Sequence, residues 1–98
     1  FAPVHYELGA LLVERGDPVG GMEHLRRTIA LEPNHADAHY NLAVALSMTR
    51  QYDEALGEID IAHSLNPNDE QTQQFRRHLV IAASSRHNDP GQAAAPRP

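Results

Sequence analysis

Apolar residues along the chain recur at intervals of three and four, and glycine and proline interrupt them at regular places. Val4, Leu8, Leu12 and Val13 follow one another at helical spacing, with Pro3 placed in an opening turn, until Gly16-Asp17 breaks the run. Pro18 then starts a second helix behind Asp17 as its N-cap. Met22, Leu25, Thr28 and Ile29 carry the stripe to about Leu31, and Pro33 stops it. Asn34 is expected to cap the next helix, with Asp37 three positions on completing a capping-box-like exchange. The same grammar repeats from Ala36 to Asn68. From Asp69 a single stripe of Phe75, Leu79, Ala82 and Ala83 runs through otherwise polar sequence, which predicts one amphipathic helix ending near Ser85. Residues 87–98 show no period and read as a flexible tail.

Sliding the chain along itself by 34 residues superposes Ala2, His5, Tyr6, Leu8, Leu12, Leu31, Pro33 and Asn34 on Ala36, His39, Tyr40, Leu42, Leu46, Leu65, Pro67 and Asn68. Five further pairs conserve size: Gly9 with Ala43, Gly21 with Ala55, Met22 with Leu56, Leu25 with Ile59 and Thr28 with Ala62. A fixed period in this range marks stacked supersecondary units. Small residues at 9, 21, 43 and 55 leave room for two helices to approach within about 8–10 Å. Gly20-Gly21 has a cost of up to about 2 kcal/mol in helix propensity, so the helix containing it is expected to be the weakest element.

Unit length and packing residues together resemble the tetratricopeptide repeat family, whose unit is a helix-turn-helix. The segment HYNLAVALSMTRQYDEALGEIDIAHSLNP carries the better match, with Leu42, Ala43, Ala55, Ile59, Ala62 and Pro67 at the family's packing and helix-ending positions. His5 and His39 depart from it, standing where the family commonly has Trp or another large residue. The resemblance spans residues 2–69 and implies an all-α, right-handed α-solenoid. Repeat one would be 2–35, repeat two 36–69, and a C-terminal capping helix 69–86 would close a domain of residues 1–86.

In this family the first helices of successive repeats line a concave groove. The resemblance places Tyr6, Ala10 and Val13 there, then Tyr40, Asn41, Val44, Ser47 and Met48, then Gln74 and His78. Tyrosine offers rigid amphipathic area, methionine adapts its shape, and an asparagine amide grips a peptide backbone with donor and acceptor together. Some members hold a partner's C-terminal carboxylate in a clamp of Lys, Asn and Arg. Here Asn41 matches one clamp position, but Tyr6 and Gln71 occupy the basic ones and Phe75 replaces the Arg, so an apolar or mixed segment is the expected occupant. No cap precedes repeat one, and its outer edge around Val4, Leu11 and Met22 is expected to need an upstream segment, a second copy or another protein.

Composition narrows the function. Of 98 residues 41% are hydrophobic and 21% charged, with no apolar run long enough for a membrane span, which describes a soluble globular chain without membrane insertion. A formal charge of −5 argues against a nucleic-acid partner. Eleven acids face four arginines in residues 1–69, whereas residues 70–98 hold Glu70 and Asp89 against Arg76, Arg77, Arg86 and Arg97. There is no cysteine, hence no disulfide, thiolate zinc site or thiol nucleophile.

Seven histidines are the one oddity. His35 and His39 are spaced to share a helical face and His5 is the repeat-one equivalent of His39, so these three are the candidate ligands of a metal or haem. The simpler reading makes His5 and His39 packing rings and Asp37 a cap, with no cofactor. No phosphate loop, metalloprotease motif or nucleophile elbow is present, and Glu58 and Asp60 are too close in sequence to face each other as an acid-base pair. The reading is a non-catalytic scaffold that binds a protein or peptide, with an accessory subunit of a metal or haem protein, or a structural homo-oligomer or filament, as the alternatives.

Overall fold

The computed structural model describes residues 2–87, and these form five helices: α1 (Ala2–Glu14), α2 (Pro18–Leu31), α3 (Ala36–Met48), α4 (Tyr52–Leu65) and α5 (Glu70–His87). Among the described residues there is no strand. Each helix packs on the one before it, and α1 also touches α3, so two hairpins stack and α5 closes onto α4. The expected tail lies outside the described residues apart from His87, which α5 absorbs as its last residue.

The two hairpin turns are built alike. In the first, Gly16 at φ 87° reverses the chain so that its N–H donates to Val13 O at 3.1 Å and the Asp17 N–H to Leu12 O at 2.8 Å, satisfying carbonyls that the helix end leaves open. The second repeats this 34 positions on, with Arg50 N–H to Ser47 O at 3.1 Å and Gln51 N–H to Leu46 O at 2.9 Å. Arg50 holds the left-handed φ of 64° that glycine would adopt without strain. Asp17 caps α2 as expected, its carboxylate accepting the Gly20 N–H at 3.1 Å.

One cap differs from expectation. α3 is capped by His35, whose Nδ1 accepts the Ala38 N–H at 3.1 Å, and Asn34 belongs to the preceding turn. Pro33 and Asn34 are consumed in turning the chain, so the helix begins one residue later than the Asn34-Asp37 pairing requires. The next helix starts likewise, one residue after Asp69, whose carboxylate accepts the Thr72 hydroxyl at 2.6 Å.

The core runs through Leu25, Leu42, Leu46, Ile59 and Leu79, with Ala38, Ala43, Ala45, Ala55 and Ala62 filling the narrow places between helices. The small residues do what their register predicts. A Cβ on Gly21 would stand 2.5 Å from Val13 Cγ2 and 2.9 Å from the Gly9 carbonyl, and one on Gly9 would stand 2.8 Å from Leu25 Cγ. Backbone therefore meets backbone where α1 crosses α2.

Two expected surface residues are buried. Val13, expected in the groove, is 7% exposed because it is the side chain that fills the space above Gly21. Met22, expected on the open edge, is 6% exposed because it shares the inward stripe of α2 with Gly21, Leu25 and Thr28. Val19 and Leu31 are the large α2 hydrophobes that face solvent.

Gly21→Ala should destabilise the fold by about 1–3 kcal/mol through overpacking. Gly57→Ala, on α4 where nothing lies within 4 Å of the added methyl, should stabilise it by about 0.5–1 kcal/mol. Urea unfolding of the two variants measures both, and equal effects of the same sign would remove the close-approach account of Gly21.

Candidate functional site

The leading helices α1, α3 and α5 meet along two aromatic seams. Tyr6 of α1 tilts against the His35 ring with centroids 4.6 Å apart, and its hydroxyl accepts the Asn41 Nδ2 amide at 3.1 Å. Asn41 donates as well to the Asp37 carbonyl one turn back at 3.1 Å, so its amide nitrogen has two acceptors. Tyr40 of α3 tilts against Phe75 of α5 with centroids 5.4 Å apart. Phe75, which takes the place of the family's clamp arginine, is thus a packing residue.

Between these seams the expected surface residues fall as follows. Tyr40, Val44, Ser47 and Met48 share one face of α3 by helical spacing, and Met48 is 46% exposed at its end. Tyr6, Ala10, Asn41, Val44 and Ser47 are half-buried, with the Ser47 hydroxyl tied to the Val44 carbonyl at 2.7 Å. Gln74 and His78 are exposed on α5, and the His78 ring lies 3.0 Å from the Gln74 carbonyl. The strip carries aromatic, aliphatic, hydroxyl, amide and imidazole groups, and the Asp37 carboxylate stands at the start of the same α3 face.

Tyr6 and Tyr40 are both pushed above the ordinary tyrosine value of 10.0, chiefly by burial. Asp37 beside Tyr6 and Asp69 beside Tyr40 add to this, and hydrogen bonds from Asn41 and Gln71 oppose it.

The three candidate ligand histidines do not converge. His35 is a helix cap, and His39 is buried with Nδ1 at 2.7 Å from a Glu58 carboxylate oxygen and Nε2 at 2.7 Å from the Pro33 carbonyl. His5 instead meets His24 across the first hairpin, Nδ1 to Nδ1 at 3.2 Å. Its pKa is drawn below the usual histidine value, by burial first and then by surrounding positive charge that includes Arg27. Among the described residues no three His, Cys, Asp or Glu side chains are grouped to hold a metal.

Glu58 and His24 were the residues that sequence spacing passed over. They are 34 positions apart and stand opposite His39 and His5, so the repeat register itself is the signal that pairs them. Glu58 faces His39 while Asp60 faces Arg76, its carboxylate 2.5 Å from the guanidinium, which agrees with the expectation that the two acids do not form a pair.

Two stacked helical hairpins with a closing helix define an all-α solenoid of helical repeats. The tetratricopeptide repeat model matches residues 12–79, and the chain belongs to that family. No curated protein matches the chain. Repeats of this family generally mediate protein–protein interaction and are typically non-catalytic modules. No helix among the described residues is long and apolar enough to cross a membrane.

A raised tyrosine value makes the folded state hold its proton longer than the unfolded chain. The contribution is complete below pH 10.0 and is lost as pH climbs through the folded values. The urea midpoint should therefore fall between about pH 9 and about pH 11, and Tyr6→Phe/Tyr40→Phe should flatten that fall; an unchanged slope would refute the assignment.

Proposed function

We propose that the chain is a non-catalytic adaptor that binds a peptide or helix of a partner protein along the strip formed by α1, α3 and α5. One observation supports this most: the strip is held in place before any ligand arrives. The Tyr6–Asn41 hydrogen bond and the Tyr40–Phe75 ring contact fix its aromatic residues, while Met48 remains exposed beside them. A preorganised surface loses little entropy on binding, and rigid aromatics with an adaptable methionine are effective anchors. Tyr6, Ala10, Tyr40, Asn41, Val44, Ser47, Met48, Gln74 and His78 would form the contact. Val13 supports the first hairpin from inside.

The lack of charge on these residues favours an apolar or mixed segment over an acidic tail. Asn41 offers that segment its carbonyl oxygen, which can accept a backbone N–H. An accessory role in metal or haem ligation finds less support, because His35 and His39 are engaged with Ala38 N–H, Glu58 and Pro33, and His5 is turned toward His24.

Peptides selected on the chain from a displayed random library provide the test. Tyr40→Ala/Met48→Ala should weaken the selected peptides by at least about tenfold, as expected for loss of roughly 1.4 kcal/mol or more at an interface anchor. Val19→Ser, on the solvent face of α2, should leave them unaffected. Equal binding by the parent and the Tyr40/Met48 variant would exclude the strip.

A further inference from the structure

The outer face of α1 is apolar and open. Val4, Leu8 and Leu11 are 47%, 41% and 44% exposed, whereas their equivalents in the second repeat, Ala38, Leu42 and Ala45, are 0%, 2% and 0% exposed. Where the chain covers this face itself, in repeat two, it packs α2 and α1 against α3. Repeat one carries larger side chains at two of the three positions, and nothing in the described residues lies over them. Glu7 shares this face, three residues after Val4 and four before Leu11.

The opposite end of the stack has a face of the same pattern and the opposite charge. On α5, Val80 and Ile81 are 45% and 65% exposed, and Arg77 and Ser84 complete the spacing that Val4, Glu7, Leu8 and Leu11 show on α1. Among the described residues neither Glu7 nor Arg77 takes part in an ion pair. α1 carries Glu7 and Glu14 and no Lys or Arg, while Arg76 and Arg77 lie at the middle of α5.

We propose that copies of this chain associate head to tail, with the Val4–Glu7–Leu8–Leu11 face of α1 in one copy packed on the Arg77–Val80–Ile81–Ser84 face of α5 in the next. Within one chain the equivalent face of α3 is covered by α2 and α1, and in the array α5 of the neighbouring copy takes their place over α1. Charge selects this arrangement. Pairing α1 with α1 would oppose Glu7 to Glu7, pairing α5 with α5 would oppose Arg77 to Arg77, and only the mixed contact matches unlike charges beside apolar surface. A contact of this kind is heterologous, so it leaves one free face at each end of a dimer and permits longer arrays. The proposal rests on the first hairpin's outer face as a docking surface and is independent of peptide binding on the strip.

Sedimentation equilibrium of the 98-residue chain should show a mass that rises with concentration beyond the monomer. Leu8→Asp/Leu11→Asp and Val80→Asp/Ile81→Asp should each be monomeric. Mixed together they should form a one-to-one dimer, since each retains the face the other lacks. Glu7→Arg and Arg77→Glu should each weaken association, and the two combined in one chain should restore it. Met48→Ala, an exposed change on α3 away from α1 and α5, should associate like the parent, which separates this proposal from the peptide reading. If a variant loses helical circular dichroism, the milder Leu8→Ser/Leu11→Ser and Val80→Ser/Ile81→Ser replace it in the mixing experiment. A parent that stays monomeric at every concentration overturns the proposal, as does a mixture of folded variants that fails to dimerise.

Discussion

The structure depends on how closely the two helices of each hairpin approach. At the α1–α2 crossing a methyl group on Gly21 would overlap Val13 and the Gly9 carbonyl, and in the second hairpin Ala43 and Ala55 occupy the corresponding places with no exposed surface. Side chains at these four positions set the separation of the helices, and that separation sets whether Leu25 and Ile59 can close the core. The glycines at 20 and 21 weaken α2 as an isolated helix. Tertiary packing reverses the balance at Gly21, since any larger residue there would hold the hairpin open.

Polar groups join one hairpin to the next. His39 reaches back to the Pro33 carbonyl in the turn between hairpins and across to Glu58 on its own partner helix, so one buried ring ties three segments together. Exposed pairs such as Arg26 with Glu54 at 3.0 Å and Arg76 with Asp60 add little, about 0–1 kcal/mol each. In the first hairpin the same register brings His5 to His24. Repeat one thus repeats the pairing with His24 in the place of Glu58, and its exposed apolar face is the one proposed for association.

The proposed strip depends on the same stacking. Tyr6 and Asn41 come from different repeats, as do Tyr40 and Phe75 from different helices, and stacking in register is what turns these separate side chains into one surface. The ring contacts bury enough of both phenols to disfavour their ionisation.

The five helices, their order and the two hairpin turns were legible in the sequence, because apolar period, Gly16, Pro18, Pro33 and the 34-residue register are local signals carried by the chain itself. Solvent exposure was not. Val13 and Met22 lie at positions where a small rotation of the helix decides between core and surface, and only the packed neighbours, Gly21 for Val13 and the inward stripe of α2 for Met22, determined the outcome. The choice of His35 over Asn34 as cap depended on how many residues the turn consumes, and the pairing of His39 with Glu58 on which side chain the partner helix presents. Period and punctuation are properties of sequence, whereas burial and partnership belong to contacts between residues far apart along it.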